Sequence, residues 1–469
     1  MLPDADRAVT GRLENAVCAA CSCLCDDIVL EYRDDGALES VARACEIGER
    51  WLRAPRRLAP AATVRGDPID LDVAIERAAR MLIDARAPLV EVASSTTLEA
   101  SRAAWLLADR IGAAVAAGSD GASRTEAGFD DRSGLDVPEA GATLGEIRAH
   151  ADLVVFWEAD PLRTHPRHLE RYSFDPMLRS GRARRLVVID CASRLAANLT
   201  AARAAETVLL ATVPLATVPL ATVPLATAGP DADGDDRACR AAALELCSHV
   251  RMRLLDDARA ADGDARAADG DARAADDDAR AADGDARAAD DDAGRLAGAI
   301  RAARHAHFFL GLHAADDSLL RDGLHDLAAR LRTRTRVTVS ALGDATHLRA
   351  ARETAVWLGV AARPAIAPSG ADAILVIGSP SRSAHAAASA DVVATTIRIA
   401  EAADAGADAG VAFVVPGLDP RLDATIVRSD GVHLTLCGRS RGRAGGPRGV
   451  SDPTARILDA IAARVEASS

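Results

Sequence analysis

Residues 151–173 read ADLVVFWEADPLRTHPRHLERYS, an apolar run followed by a polar loop, and this stretch decides the fold class. The run Leu153–Trp157 is short and rich in branched and aromatic residues, which is typical of a strand buried on both faces. Two prolines among the polar residues that follow predict a loop there. In an open α/β sheet, ligands bind at the loops that follow the carboxyl ends of strands. The stretch therefore predicts a ligand-binding loop with the polar side chains Asp160, Arg163, His165, Arg167 and His168.

This loop has two interpretations. Arginine and histidine side chains packed into one loop can bind phosphates or carboxylates, because guanidinium groups match the geometry of these anions. The same residues also suit an ordinary salt-bridged loop that holds two domains together. The residues alone leave both interpretations open.

Apolar runs alternate with helical patterns along much of the chain. The strand-like runs are APLVEVAS, RRLVVIDCAS, AHFFLGLH, TRVTVSALG, DAILVIGSP and ADVVATTI, and stretches with helical spacing such as TTLEASRAAWLLADRIG lie between several of them. Such alternation favours parallel sheets with helices on both faces. Two groups, at about 70–210 and 295–400, therefore predict an α/β fold with two doubly wound sheet-and-helix domains.

The chain is expected to divide into four segments. A small N-terminal β/cysteine module spans 1–66, a first α/β domain 67–210, and a second α/β domain with a C-terminal segment 293–469. Between them, 211–292 contains a pentapeptide repeated three times and five acidic heptapeptides. Its prolines exclude a central strand, and alanine as the only apolar residue of the heptapeptides excludes a coiled-coil seam. This segment is interpreted as a low-complexity insertion with one helix at Arg237–Leu255.

Composition and charge exclude several classes of protein. The 469 residues are 49% hydrophobic and carry a net charge of −13, with no sustained basic face, so nucleic acid is not expected as a partner. No run of eighteen apolar residues occurs, so no membrane span is expected. The N-terminus lacks the apolar core of a signal peptide, and clustered cysteines in such a chain indicate a reducing compartment, so a cytoplasmic location is expected.

Four of the nine cysteines fall within eight residues, in the stretch CAACSCLCDD. Cys18, Cys21 and Cys25 have the spacing C-x2-C-x3-C, and Cys45 follows after nineteen residues. Four thiolates can hold a [4Fe–4S] cluster or a zinc ion, although zinc sites more often pair two C-x2-C motifs. The alternative is a group of small buried hydrophobic residues, because free cysteine packs well. The crowding favours a metal site, with Cys23 as an additional thiol.

Two histidines form an H-x-H pair around the run AHFFLGLH. Alternate residues of a strand share a face, so His305 and His307 point to the same side of the sheet, and His313 follows the run. Zinc sites sometimes use such pairs. Because no carboxylate occurs in this strand to complete a ligand set, strand-edge or interface histidines are the favoured interpretation.

Several of these segments resemble the B subunit of formylmethanofuran dehydrogenase, within the molybdopterin oxidoreductase superfamily. The stretches CAACSCLCDDIVLE, DDGALESVARACEIG and WEADPLRTHPRHLERYS carry the resemblance, and later parts of the chain extend it. It implies the fold of the first three domains of formate dehydrogenase and DMSO reductase. It also implies a [4Fe–4S] cluster on Cys18, Cys21, Cys25 and Cys45. For a pterin-type cofactor it implies a binding loop with Asp160, Arg163, His165 and Arg167, and a nucleotide contact at Asp190 in VVIDCASRLAAN.

The chain departs from the redox-active members at one segment. Where their molybdenum- or tungsten-ligating cysteine lies, this sequence reads AAVAAGSDGASRTEAGFDD, with no cysteine. Ser119, Asp120 and Ser123 could bind only a hard metal there. A molybdopterin or tungstopterin cofactor is therefore not expected, and this chain is not expected to catalyse redox chemistry itself.

The favoured hypothesis is thus the B-type member of a bacterial formyltransferase/hydrolase complex in tetrahydromethanopterin- and methanofuran-linked one-carbon metabolism. The resemblance implies a scaffold beside an amidohydrolase-like A subunit, a C subunit and a formyltransferase-like D subunit, with a methanofuran-type carrier. The first alternative is a redox-active dehydrogenase subunit with a [4Fe–4S] cluster and a molybdenum or tungsten pterin. The second is a stand-alone iron–sulfur or zinc protein.

Overall fold

A computed structural model describes most of the chain. The described residues are 11–56, 59–92, 96–117, 141–173, 184–190, 210–214, 247–248, 250, 252–254, 294–311, 318–331, 335–342, 349–360, 370–378, 396–401, 409–437, 439–440 and 450–468. The chain forms two compact units. The first unit contains 1–137 and 343–469, and the second contains 138–342.

The regular elements alternate as the sequence patterns predict. The strands are β1 (Gly11–Cys18), β2 (Cys25–Tyr32), β3 (Leu38–Ala42), β4 (Ala61–Val64), β5 (Asp67–Ile69), β6 (Pro88–Val92), β7 (Ala114–Ala117), β8 (Leu153–Trp157), β9 (Arg185–Asp190), β10 (Leu210–Pro214), β11 (His305–Leu310), β12 (Arg336–Ala341), β13 (Ala373–Ile377), β14 (Thr396–Ala400), β15 (Val411–Val414), β16 (Leu422–Asp423), β17 (Thr425–Val427), β18 (His433–Thr435), β19 (Arg439–Ser440) and β20 (Val450–Ser451). The helices are α1 (Glu46–Arg53), α2 (Leu71–Ile83), α3 (Leu98–Arg110), α4 (Leu144–His150), α5 (Pro161–Thr164), α6 (294–302), α7 (Ser318–Leu331), α8 (Arg349–Trp357) and α9 (Pro453–Ser468), with a π-helical turn at Leu169–Ser173.

The N-terminal part of the first unit is an antiparallel sheet in the order β19–β1–β2–β3. A turn at Asp34–Gly36 joins β2 to β3, and Gly36 adopts a positive φ of 77° that suits glycine. Beneath this sheet, a small core brings Val17 and Leu24 together with residues from 418–436. The N-terminal module is therefore packed against the C-terminal segment of the same unit.

A seven-stranded sheet forms the body of the first unit, in the order β5–β4–β15–β14–β13–β6–β7. The strands β15, β14, β13, β6 and β7 are parallel, and β4 and β5 continue one edge in antiparallel fashion. The order runs outward in both directions from β6, which is the doubly wound arrangement. One face packs on α2, α3, α8 and α9 through a single large core that includes Trp105, whose indole N–H donates to the Ala351 carbonyl at 2.8 Å.

The second unit is built on a five-stranded parallel sheet in the order β10–β9–β8–β11–β12. Its strands also run outward in both directions from the first one, β8. One face is apolar and packs on a core that includes Trp157, Phe308 and Leu324. The burial of all five residues of β8 explains why LVVFW reads as a continuous apolar run.

The predicted α/β class is confirmed, but the sheets group the strands across the predicted segments. β6 and β7 belong to one sheet with β13 in the first unit, where β6 pairs with β13. β8 and β9 belong to one sheet with β11 in the second unit, where β8 pairs with β11. The reason is that a strand's apolar pattern specifies burial and not its neighbour. As a division into domains, the boundaries at 66, 210 and 292 stay a prediction.

The predicted insertion at 211–292 differs at its start. Residues 211–214 belong to β10, which is an edge strand. Its last residue is Pro214, and proline is tolerated there because an edge strand has unpaired N–H positions. Within the predicted helix Arg237–Leu255, residues 247–248, 250 and 252–254 are helical. The remainder of the insertion lies outside the described residues. Among the described helices, none is long and apolar enough to cross a bilayer.

Thr97 connects two helix N-termini of the first unit. Its hydroxyl is the N-cap of α3, accepting from the Ala100 N–H at 3.0 Å, and it donates to the Asp452 carboxylate at 2.5 Å. Asp452 in turn caps α9 by accepting from the Thr454 N–H at 2.8 Å. Helices α3 and α9 are thus capped by two residues that are bonded to each other.

We predict that Thr97→Val lowers the free energy of unfolding of the first unit by about 1–2 kcal/mol, because it removes a cap and a partner of a buried carboxylate. Thr97→Ser keeps the hydroxyl and is the control, with an expected loss well below that. Denaturant unfolding monitored by fluorescence measures both. Equal stability of the Val and Ser variants would contradict the role of the hydroxyl.

Candidate functional site

The predicted metal ligands lie at one end of the N-terminal sheet. Cys18 ends β1 and is paired with Cys25, which begins β2, so the hairpin places these two residues opposite each other. Cys21 lies in the turn between them. Cys45 arrives from the end of β3 as the N-cap of α1, where its sulfur accepts from the Gly48 N–H at 3.4 Å.

Gly48 allows two of these sulfurs to approach the start of α1. A Cβ atom at this position would lie 3.0 Å from the Cys18 Sγ and 3.6 Å from the Cys45 Sγ. Glycine at position 48 therefore has a steric reason. An added side chain would press on the Cys18 sulfur and would touch the Cys45 sulfur at an ordinary contact distance.

The thiols affect one another's pKa through electrostatic interactions and hydrogen bonds. Burial raises the pKa of Cys18 to about 12, and negative charge on Cys25, Cys21 or Cys45 would raise it further. A hydrogen bond with Cys23 lowers the pKa of Cys21. A cation placed among these sulfurs would offset the cost of burying thiolates, because an opposite charge favours the charged form.

The four thiols suit a soft metal in donor chemistry, and Gly48 leaves room beside two of them. However, no three cysteine, histidine or carboxylate side chains in the described part of the chain are arranged so that they could hold a metal ion. The predicted ligands are therefore neighbours that are not arranged around a single metal ion. Whether they bind a cluster stays a prediction.

The predicted ligand-binding loop begins where β8 ends, in the second unit. Glu158 has a positive φ of 52°, and its N–H donates to the Ile189 carbonyl at 2.7 Å. The chain then forms the short helix α5, for which Asp160 is the N-cap, accepting from the Arg163 N–H at 3.2 Å. The carboxylate of Asp160 thus has a local structural role at the carboxyl end of the sheet.

The other predicted side chains of this loop divide between its interior and its surface. His165 and His168 are buried, and the His168 ring contacts Phe309 with centroids 4.6 Å apart. Arg167 donates to the Glu170 carboxylate at 2.5 Å, within the loop itself. Arg163 is exposed. The structure therefore keeps the five residues in one loop, but it does not aim them at one point.

Asp190, the predicted nucleotide contact, is the last residue of β9, directly beside the end of β8. Its backbone therefore lies at the carboxyl edge where the loop begins, while its side chain lies outside the described part of the chain, so the nucleotide contact stays a prediction. Ser119, Asp120, Ser123 and His313 also lie outside the described residues.

A close backbone approach holds the loop against the neighbouring strand β11. The Gly311 N–H donates to the Trp157 carbonyl at 2.8 Å, and a Cβ on Gly311 would overlap the Glu158 carbonyl oxygen. A residue other than glycine would therefore have to displace the first turn of the loop.

A cleft that was not predicted from the sequence lies at the carboxyl edge of the first unit's sheet. It is lined by the ends of three strands and by the starts of α3 and α9. Burial raises the pKa of Asp452, which lies at its base, although the Thr97 hydroxyl opposes this. Glu401 covers Gly417, where an added Cβ would overlap its carboxylate. The Asp-Pro pair at Asp452–Pro453, a signal for a helix start, would have drawn attention to one wall of this cleft.

The described lining of the cleft offers no basic side chain to an anionic dinucleotide. Among the described residues no lysine or arginine lines it, and Asp452 and Glu401 contribute carboxylates instead. The cap hydrogen bonds of Thr97 and Asp452 already occupy N–H groups at the two helix N-termini, which are the usual partners of phosphate.

Comparison with known proteins identifies relatives of the predicted kind. No protein-family model matches this sequence. The B subunit of the tungsten-containing formylmethanofuran dehydrogenase 2 of Methanococcus maripaludis is 31% identical over 189 residues, which cover 38% of this chain and 42% of that protein. The protein of the same name from Methanocaldococcus jannaschii is 31% identical over 169 residues, covering 34% and 38%. The alignments thus span about two fifths of the relatives' length.

A solved structure supports the fold over a longer stretch. A chain of the formyltransferase/hydrolase complex FhcABCD from Methylorubrum extorquens, crystallised with methylofuran, matches with a TM-score of 0.55 and 18% identity. The match covers 87% of this chain and 99% of that one. The predicted resemblance to the B subunit of formylmethanofuran dehydrogenase is therefore confirmed. The structural match covers more of the chain, but at 18% identity it shows a likeness of fold alone.

We predict that Gly311→Ala destabilises the second unit by about 1–3 kcal/mol, because its methyl group overlaps the Glu158 carbonyl. Gly298→Ala is the matched control. Gly298 lies in α6 with no atom within 4 Å of an added Cβ, so alanine there should stabilise by up to about 1 kcal/mol. Denaturant unfolding measures both, and an unchanged stability of Gly311→Ala would refute the close approach.

Proposed function

We propose that this chain is a B-type subunit of a formyl-processing complex in methanofuran-linked one-carbon metabolism, and that it serves there as a non-redox scaffold in the cytoplasm. The observation that carries the proposal is the combination of two likenesses. Identity of 31% links part of the sequence to the B subunit of formylmethanofuran dehydrogenase, and the fold matches nearly the whole of a chain from a formyltransferase/hydrolase complex.

Two features support a role without redox chemistry. The segment AAVAAGSDGASRTEAGFDD lacks the cysteine that the redox-active relatives use for molybdenum or tungsten. The cleft of the first unit presents carboxylates and has no basic side chain in its described lining, which disfavours a pterin dinucleotide. Catalysis is accordingly assigned to partner subunits, of which an amidohydrolase-like A subunit, a C subunit and a formyltransferase-like D subunit are proposed.

The strand-end loop is our candidate for contact with a partner or with a methanofuran-type carrier. Most of its polar groups have bonds within the loop: Asp160 caps α5 and Arg167 pairs with Glu170. Such a loop has a defined shape and leaves the Arg163 side chain exposed. A cationic side chain on a firmly held loop suits an acidic partner surface or an anionic carrier group.

The four thiols of Cys18, Cys21, Cys25 and Cys45 are proposed as ligands of a [4Fe–4S] cluster. Such a cluster, when bound, transfers single electrons or braces the chain around it. In a non-redox scaffold it would serve the second purpose, since it would tie the β1–β2 hairpin to the start of α1. The scaffold proposal holds with or without it.

Two alternatives remain distinguishable by simple measurements. A redox-active chain of this type would contain stoichiometric molybdenum or tungsten and would reduce a dye with formylmethanofuran. A stand-alone iron–sulfur or zinc protein would run as a small species in gel filtration. The scaffold proposal predicts a large hetero-oligomer from native cells, without molybdenum or tungsten, and either of the other results would refute it.

We predict that Arg163→Ala combined with Arg167→Ala weakens complex assembly or carrier-dependent turnover several-fold, because it removes the cationic side chains of the loop. Arg330→Ala in α7 is the control, since it breaks a comparable surface pair with Asp326 in the same unit. Co-purification yield and turnover of the complex are the measurements. Unchanged values in the double variant would reject the loop as a contact site.

We predict further that an anaerobic preparation is brown, with iron and sulfide in about four atoms each. Cys18→Ser should abolish the colour, because Cys18 is the thiol that interacts with the other three. Cys23→Ser should keep it, since Cys23 lies outside the spacing. A colourless, iron-free wild type would remove the cluster while leaving the scaffold proposal to the assembly experiment.

A further inference from the structure

The face of the second unit's sheet opposite the apolar core carries a network of imidazole and hydroxyl groups. His305 and His307 on β11 and Thr338 and Ser340 on β12 point to this face. The Thr338 hydroxyl lies 2.9 Å from His305 Nε2 and 2.7 Å from His307 Nδ1, and the Ser340 hydroxyl lies 3.0 Å from His307 Nε2. We call these four residues the histidine–hydroxyl network. The predicted H-x-H pair is thus satisfied by hydroxyl groups.

The number of available protons determines which group donates and which accepts in each hydrogen bond of the network. The Thr338 hydroxyl has one proton, so it donates to one imidazole and accepts from the other. The His305 Nδ1 atom is buried and finds no partner among the described residues. A buried N–H without an acceptor is costly, so the tautomer with the proton on Nε2 is favoured. His305 then donates to Thr338, Thr338 donates to His307, and His307 donates to Ser340.

This arrangement requires neutral rings. In neutral His307, Nδ1 accepts and Nε2 donates, whereas a protonated ring would have no lone pair for the Thr338 hydroxyl. Burial lowers the pKa of His305 to about 4 and lowers the pKa of His307 well below its ordinary value. In the folded network both imidazoles therefore stay neutral at a pH of about 6.5 and somewhat below, where water-exposed imidazoles take up a proton.

The network is in contact with the strand-end loop through one ring. Phe309 lies 4.2 Å from His307 and 4.6 Å from His168 between ring centroids, so it packs between the network and the loop. His168 is fixed in turn by the Ser173 hydroxyl, 3.1 Å from its Nδ1. The His307 ring is thus connected to both ends of the π-helical turn by a continuous series of contacts through Phe309, His168 and Ser173.

Several charged or titratable groups face the network from the surrounding elements. On β12, Arg336 disfavours protonation of both histidines, and from the loop His168 does the same to His307. From α4 and the residues after it, Glu146 and Asp152 favour protonation of His305 and His150 opposes it. Arg184 is also buried on this side, where it donates to carbonyls of α4 and of Tyr172. Burial remains the first cause for both rings, so these charges do not reverse the exclusion of the proton.

We propose that the histidine–hydroxyl network is a pH-sensitive switch that holds the loop 158–173 on the sheet when its imidazoles are neutral and releases the loop when they take up protons. The proposal concerns the second unit alone. It goes beyond the proposed scaffold function and does not depend on it.

The sign and size follow from linkage. A histidine whose pKa is lower in the closed state than in the open state contributes stability above pH 6.5 that is lost as the pH falls through the interval from 6.5 to 4. For one ring with values of about 4 closed and 6.5 open, the opening equilibrium should increase about 20-fold between pH 7 and pH 5. Proton uptake by His307 as well would make the opening equilibrium depend more steeply on pH.

Hydrogen exchange of the full chain between pH 7 and pH 5, corrected for intrinsic rates, tests this switch. We expect protection of amides in 158–173 to fall about 20-fold or more, while protection of α2 and α9 in the first unit changes little. A constant protection of 158–173, or a parallel loss in α2 and α9, would overturn the proposal, since the latter would indicate general acid unfolding.

Variants separate the network from other sources of pH dependence. His307→Gln keeps a donor toward Ser340 without a titrating ring, so the pH-dependent loss should become markedly smaller. Thr338→Ser should behave as wild type and Thr338→Val should lose protection already at pH 7. The control His433→Gln removes an exposed histidine of the first unit and should leave the profile unchanged. A profile of His307→Gln identical to wild type, together with normal protection in Thr338→Val, would refute the switch.

Discussion

Parallel strand pairing across long stretches of chain is the constraint on which this structure depends. In the first unit, the carboxylate of Asp372 just before β13 accepts from the backbone N–H groups of Arg86 and Ala87, which precede it by 286 and 285 residues. These bonds lower the pKa of Asp372 and set the register of β13 against β6. Because the two strands are parallel, their carboxyl ends meet at one edge, and the cleft with Thr97 and Asp452 lies there.

The same constraint shapes the second unit. β8 and β11 lie side by side, so the loop after Trp157 must pass close to the residue after Leu310. Only a glycine permits that passage, and the positive φ of Glu158 is the corresponding turn on the other strand. The order of the strands therefore fixes the backbone geometry of the site. The polar side chains of the loop then determine its local hydrogen bonds.

Local features were predictable from sequence, and long-range ones were not. The stretch TTLEASRAAWLLADRIG, predicted to be helical, contains α3, because helical spacing and helix ends depend on residues within a few turns. Of the four predicted cysteine ligands, Cys18, Cys21 and Cys25 lie in the β1–β2 hairpin, and Cys45 follows β3. The pairing of β6 with β13 was not predicted, because an apolar run indicates that a strand is buried but does not indicate which strand lies beside it. In the loop, Asp160 and Arg167 were predicted as ligand groups, yet both bind within the loop, an outcome that depends on partners only three residues away.

The interruption of the first unit by the second has a consequence for synthesis. β6 and β7 leave the ribosome early, but their neighbour β13 follows only after residue 372, when the strands of the second unit have all been made. At about 5–20 residues per second, this gap corresponds to roughly 15–60 s. During that time β6 has one exposed parallel edge with no native partner, whereas the second unit can complete its sheet. The edge at Leu89–Val92 is thus open to misassociation during this interval, and a chaperone that binds this strand would protect the nascent chain.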